Sequence, residues 1–299
     1  MKIFKIVLLN LFFFIIFVLS VNAVFLFADK KINPEKPFRM YIPYENHLFY
    51  LLRDRKYLRK PVGTDFKNKK PIILYGCSYS YGYLLHENDN FGSILSELTK
   101  RPVYNYSIAS RGLQQMLYFL EKEEHYNDFN APDYVIYTFI DDHVRRLYTP
   151  CNANDNVEFL DYKTVNGDLK RHNSPVKFLH SLYIYNKMQN FIYNRFFKLQ
   201  KENDNMDLVI KYFKKSKKLF EQHYPDAKCV ILLYPTGQDN YIFSKKWKEL
   251  EQDGFIVINA NELVKDDLTK DEYKLDDKSH PNSKAWRLIC DKLVKKLDL

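Results

Sequence analysis

The sequence predicts an α/β fold: a parallel sheet of about five strands covered by helices on both faces, preceded by a membrane-spanning helix. Three observations carry this. Short apolar runs recur from position 72 onward, bounded by Gly, Pro or polar residues. Segments with helical periodicity alternate with them. A uniformly apolar run opens the chain. Strands of a parallel sheet are covered on both sides by crossover helices, so they read as continuous apolar runs rather than as polar–apolar alternation.

The N-terminal run extends from Ile6 to Ala28, interrupted only by Asn10, Ser20 and Asn22, and follows Lys2 and Lys5. Its length of roughly 23 residues is enough to cross a bilayer as a helix. Val21-Asn22-Ala23 could serve as a cleavage site, but apolar residues continue through Val24-Phe25-Leu26-Phe27. An uncleaved anchor over residues 1–28 is therefore expected, with a cleaved signal peptide as the alternative. Either way the lysines stay cytoplasmic, and the remaining chain is exported as a single-pass, N-in protein. Residues 29–69 are polar and lysine-rich and carry Pro34, Pro37, Pro43 and Pro61, a composition for a linker laid over the surface.

One domain is expected over residues 70–299. Ile72 to Tyr75 reads as the first strand, and Asn90 to Lys100 as a helix with Phe91, Ile94 and Leu98 on one face. Val103 to Tyr106 is the second strand, Gly112 to Glu124 a helix, and Tyr134 to Ile140 the third strand, introduced by Pro132-Asp133. The rhythm then breaks. Residues 143–205, with scattered aromatics such as Phe178, Tyr183 and Tyr185, suggest a helical insertion placed over the strand ends. It resumes with a helix over Met206 to His223, a strand over Lys228 to Tyr234, a helix over Trp247 to Gln252 and a strand over Phe255 to Ile258. Ser283 to Leu297 closes the chain as an amphipathic helix.

Composition removes several function classes. The net charge is +9, but the lysines are scattered. The densest group, Lys211 to Lys218, alternates with Tyr212 and Phe213 as the solvated face of a helix. No nucleic-acid motif accompanies the charge, so a nucleic-acid partner is not expected. The four cysteines, at 77, 151, 229 and 290, form no CxxC pair, which argues against a zinc or redox motif. Asp141, Asp142 and His143 are contiguous and lack the spacing of a metal-ligand set, so neither metal nor cofactor is expected.

Sheets of this kind place their sites at the carboxyl ends of the strands. Directly after the first strand stands Gly76-Cys77-Ser78-Tyr79-Ser80-Tyr81-Gly82. Gly76 permits the tight backbone needed there. Ser78 can then turn its hydroxyl into the crevice, although a pair of turn-capping serines explains the stretch equally well. Near the other end stands Asp277-Lys278-Ser279-His280-Pro281-Asn282. A serine nucleophile needs a base to take its proton and a group to hold the imidazole, and this loop supplies both.

Together these stretches resemble the SGNH/GDSL hydrolase superfamily. The first looks like the block usually written GDSxxxG, with Cys77 in place of the Asp. The last looks like DxxHP. Tyr104 to Gly112, with Gln114 or Gln115 beyond, is similar to the second block, which usually carries glycine where Ser107 stands. Pro132-Asp133, followed by Ile140-Asp141-Asp142, occupies the place of the third block, GxND. The resemblance covers residues 71–299, with 143–205 outside it.

The resemblance implies a three-layer αβα, flavodoxin-like sheet and a cofactor-free serine esterase. It makes Ser78 the nucleophile, His280 the base, Asp277 its orienter and Ser80 a supporting turn residue. It draws an oxyanion hole from the N–H groups of Ser78 and Ser107 and from an Asn side chain at the place of Asp141. An ionised Asp141 only accepts hydrogen bonds. His143 and Arg145 are the nearest substitutes. The implied substrate is an ester; the exported topology suggests acetyl groups on a cell-envelope glycan. An O-acyltransferase using the same residues is one alternative. A non-catalytic glycan-binding or assembly protein on a decayed hydrolase fold is another.

Overall fold

The computed structural model describes residues 62–66, 68–148, 161–172, 202–237 and 241–299, with four isolated positions between 13 and 20. The anchor expected over 1–28 and the linker over 29–69 lie largely outside the described residues. Among the described residues no helix is long and apolar enough to cross a membrane.

In chain order the elements are β1 (Ile72–Tyr75), α1 (Ser78–Tyr81), α2 (Phe91–Thr99), β2 (Val103–Asn105), α3 (Leu113–Leu120), β3 (Tyr134–Phe139), α4 (Asp142–Tyr148), β4 (Asp161–Val165), β5 (Asp168–His172), α5 (Glu202–His223), β6 (Lys228–Leu233), α6 (Trp247–Gln252), β7 (Ile256–Asn259), α7 (Ala260–Val264) and α8 (Ser283–Leu297). The expected strands and helices are present within a few residues of their predicted limits. The helix expected to run to Glu124 stops at Leu120 and gives way to a 3₁₀ turn over Glu123–Asp128.

Five strands form one sheet in the order β2-β1-β3-β6-β7, with every pairing parallel. Alternate residues of each strand feed opposite layers. Ile72, Leu74 and Ile136 pack with Phe91, Ile94, Leu95, Trp286, Ile289 and Leu293 of α2 and α8. Ile73, Tyr75, Tyr137 and Phe139 pack with Leu113, Met116, Phe213 and Phe220 of α3 and α5. This is the expected three-layer αβα architecture. The Phe91 and Trp286 rings stack at 4.4 Å and join α2 to α8. From β1 the chain steps to one side for β2 and to the other for β3, so the strand order reverses beside β1, the place where such sheets open a crevice.

The insertion differs from expectation. Its described part includes an antiparallel hairpin, β4 with β5, rather than helix alone. Asn166-Gly167 joins the strands with φ of 52° and 87°, the two left-handed residues that a tight hairpin turn requires. The hairpin lies on the outer side of α3 and α5: Tyr162 donates to Glu121 at 2.8 Å, and the Arg171 guanidinium sits 4.8 Å over the Tyr118 ring. Those contacts are at the end of α3 away from the crevice, so this part of the insertion does not wall the strand ends. Residues 149–160 and 173–201 lie outside the described residues.

Candidate active site

Gly76 ends β1 with φ of +153°. A Cβ there would stand 2.2 Å from Ser80 Oγ and 3.1 Å from the Thr138 carbonyl, so only glycine fits. The chain then enters the single-turn helix α1 with Ser78 as its first residue, and Gly82 closes the turn in the left-handed conformation. Cys77, beneath Ser78, is fully buried. Burial pushes its thiol up, partly offset by Arg146, so the thiol stays protonated.

The structure brings Ser78, His280 and Asp277 together across 202 positions of sequence. Ser78 Oγ lies 2.8 Å from His280 Nε2, and His280 Nδ1 lies 2.5 Å from Asp277 Oδ2. With Nδ1 facing a carboxylate, the ring proton belongs on Nδ1, and Nε2 is left to accept from the serine hydroxyl. Asp277 Oδ1 also accepts the N–H groups of Ser279 at 3.0 Å and His280 at 2.9 Å. Burial works against its charge, but these N–H groups and the imidazole outweigh that and hold the carboxyl below its usual range.

The loop is fixed from both sides. Asn282 caps α8 through Ala285 N–H at 3.0 Å and also donates to the Lys274 carbonyl at 3.1 Å. Tyr79 donates its hydroxyl to the Ser279 carbonyl at 3.0 Å, and burial first of all pushes that phenol up to about 12, keeping it a donor. The Tyr79 and Tyr83 rings flank the imidazole at 5.2 and 5.1 Å.

The expected oxyanion donors fare differently. Ser107 is fully buried; its N–H donates to Asn105 Oδ1 at 3.1 Å, and its hydroxyl accepts from Ser80 at 2.8 Å. Asn105 in turn donates to the Ser80 carbonyl at 2.8 Å. Ser80 thus ties α1 to the end of β2, and the Ser107 N–H is already engaged. Asp141 accepts the N–H groups of Tyr241 at 3.0 Å and Ile242 at 3.1 Å, anchoring the loop after β6. It donates nothing there.

His143, the other candidate, keeps its Nε2 buried with no hydrogen-bond partner among the described residues. The ring is fully buried, with Nδ1 3.0 Å from the Tyr137 hydroxyl and its edge against Phe139, and so belongs to the core on the α3–α5 side. Burial, reinforced by Arg146, holds it well below its usual value, hence neutral. Arg145 is spent on Asp142, which it pairs with through both Nε and Nη2. The N–H of Ser78 itself, in the first turn of α1, has no acceptor within the helix.

Sequence reasoning missed Arg146. Its guanidinium bonds Asp142 at 2.7 Å and the Arg111 carbonyl, while its own carbonyl accepts from Gln114 at 2.6 Å. It ties the loop after β2 to the loop after β3, and it is a buried cation close to Cys77. Burial opposes the Asp142 charge, but Arg146 and Arg145 hold its carboxyl far below the usual range. An Arg four positions after an Asp at a helix start was the available signal. Among the described residues no group of three or more His, Cys, Asp or Glu side chains is arranged to hold a metal ion.

No protein-family model matches the chain, and no curated protein matches it. Solved structures do. One is a member of the lipolytic protein G-D-S-L family from Veillonella parvula, 12% identical, covering 76% of this chain and 97% of that one at a TM-score of 0.43. Another is the psychrotrophic esterase EstA from Pseudoalteromonas sp., 14% identical, covering 77% and 97% at 0.42. A third is a family two carbohydrate esterase from Clostridium thermocellum in complex with cellohexaose, 10% identical, covering 77% and 64% at 0.41.

Proposed function

We propose that the protein is a serine esterase of the SGNH type that cleaves O-acyl esters through an acyl-enzyme. The observation that carries this reading is the Ser78–His280–Asp277 chain of hydrogen bonds at the reversal point of the sheet. His280 Nε2 takes the proton as Ser78 Oγ attacks the ester carbonyl, and Asp277 stabilises the imidazolium. The tetrahedral oxyanion collapses, the C–O bond breaks, and His280 returns the proton to the leaving alcohol. Water then repeats the sequence to release the acid and restore Ser78.

The oxyanion draws on the N–H of Ser78, with the positive charge of Arg146 close by. One oxyanion donor is typically worth about 10²–10³ in rate. A site whose second and third expected donors are engaged elsewhere is accordingly a slow one. The N-terminal apolar run supports a membrane-anchored, exported location, and with it an acyl ester, such as acetyl, on a cell-envelope glycan.

The engagement of Ser107 and Asp141 favours one other reading, a non-catalytic glycan-binding protein on the same fold. Hydrolysis of p-nitrophenyl acetate separates the two. Esterase chemistry requires that Ser78→Ala and His280→Ala each remove the wild-type activity while the folded spectrum is kept. Equal rates for wild type and Ser78→Ala would leave only the binding reading.

A further inference from the structure

Among the described residues from 62 onward, the exposed large apolar side chains are Tyr83 (41%), Leu84 (64%), Val165 (43%) and Phe243 (67%). Two of the four are consecutive, and the first of them, Tyr83, adjoins His280. The N–H of Tyr83 donates to the carbonyl of Ser78 at 3.0 Å, so the residue is tied to the nucleophile's own backbone. Its ring lies 5.1 Å from the imidazole of His280, tilted by 48°. Leu84 holds φ of +64°, a conformation that side-chain-bearing residues adopt at a cost and that concentrates at functional sites. It spends that cost while leaving its side chain in solvent. The turn closed by the Leu85 N–H on the Gly82 carbonyl at 3.0 Å accounts for that φ, but not for the exposure of the two side chains.

The chemistry of the triad says which part of a substrate meets these residues. When the tetrahedral intermediate collapses, the electron pair of the breaking C–O bond stays on the alcohol oxygen, and the proton comes from His280 Nε2. That oxygen must lie within hydrogen-bond reach of Nε2. The acyl carbon is bonded to Ser78 Oγ. The atoms beyond the alcohol oxygen therefore extend along the imidazole, where Tyr83 stands. A half-exposed aromatic ring offers a flat apolar face with a polar hydroxyl at its rim. A pyranose matches both, with C–H groups on its face and hydroxyls around its edge.

We propose that Tyr83, flanked by Leu84, is the subsite for the alcohol part of the ester, and that this alcohol is a pyranose. The proposal rests on the esterase reading above and names the specificity determinant of that site. Tyr83 positions the leaving group and takes no part in proton transfer.

The test compares three acetyl esters in the full chain: a methyl pyranoside acetylated at one hydroxyl, methyl acetate and octyl acetate. Tyr83→Ala is expected to lose roughly 5–10-fold in kcat/KM on the acetylated pyranoside, mostly through KM, the size of one aromatic contact. Methyl acetate should be nearly unaffected. Tyr83→Phe keeps the ring face and loses only the rim hydroxyl, so its loss on the pyranoside should be smaller, about 2–3-fold. Phe243→Ala, at an exposed aromatic of the loop after β6, serves as the control and should change nothing. Labelling of Ser78 by diisopropyl fluorophosphate releases fluoride and no alcohol, so its rate should be the same in wild type and Tyr83→Ala. Equal losses on all three esters, no loss on the pyranoside, or the largest loss on octyl acetate would each overturn the proposal. If wild type itself fails to label, the esterase reading falls and this proposal falls with it.

Discussion

Asp277 and Asp141 each accept two backbone N–H groups, yet they do different work. Asp277 takes its pair from Ser279 and His280, two and three residues along its own loop, and keeps its second oxygen for the imidazole. Asp141 takes its pair from Tyr241 and Ile242, about a hundred residues away, one for each oxygen. The first carboxylate is a local clasp with one oxygen left for chemistry. The second is a long-range tie with its principal acceptor atoms committed to the loop after β6. Asp141 thus serves as an anchor for the loop after β6. One carboxylate orients an imidazole beside Ser78, while the other holds two segments of the chain together.

The contrast can be broken at either carboxylate. Asp277→Asn should lower kcat by about 10³–10⁴, because the amide no longer fixes the productive tautomer of His280, with little change in stability. Steady-state rates and a thermal melt of the same sample check this. Asp141→Asn should do the reverse. Its amide nitrogen would face a backbone N–H, leaving a buried donor unpaired at a cost of about 1–3 kcal/mol, read from urea unfolding. Restoring the amide of the family pattern should bring no gain in rate. A faster Asp141→Asn enzyme would mean that the anchor is dispensable and that the oxyanion hole lacks that donor.

A third carboxylate sharpens the comparison. Asp142→Asn removes the partner of Arg146 and should cost about 2 kcal/mol, less than the ~3–5 of a fully buried pair because Asp142 keeps part of its surface in water. The folded carboxyl of Asp142 lies below its ordinary value. Its stabilisation is therefore fully present above the ordinary carboxyl range and is lost as pH falls through the depressed folded value. Wild type should lose this increment in acid, and Asp142→Asn should show a flatter acid limb in unfolding measurements. Ser80→Ala should be milder, about 1 kcal/mol, since it removes one hydrogen bond to Ser107 and touches nothing in the triad. Its ester hydrolysis should stay within a few-fold of wild type. Gly167→Ala, in the hairpin remote from the crevice, should cost about 1 kcal/mol through its positive φ and leave activity unchanged.

The sheet and the meeting of Ser78, His280 and Asp277 were legible for physical reasons. Strands buried on both faces leave uninterrupted apolar runs such as Ile72 to Tyr75 and Tyr134 to Phe139. A nucleophile, a base and its orienter must be particular residue types at particular strand ends. The oxyanion side was not legible, because it is made of backbone N–H groups whose engagement depends on remote partners. The side chain of Asn105 takes the N–H of Ser107, and a loop a hundred residues distant takes the oxygens of Asp141. The hairpin was legible but overlooked: Asn166-Gly167 between Thr164-Val165 and Asp168-Leu169 is a strong turn signal, obscured by the aromatics around it. Arg146 shows itself only once α4 brings it back over Asp142.

The central claim is that Ser78, and not Ser80 two residues on, is an activated nucleophile. Intact-mass measurement after incubation with an alkyl fluorophosphonate tests it most directly. Wild type should carry one phosphonyl adduct, mapped to Ser78 by peptide sequencing, Ser80→Ala the same adduct, and Ser78→Ala and His280→Ala none. No adduct on folded wild type, or an adduct that persists in Ser78→Ala, would contradict it.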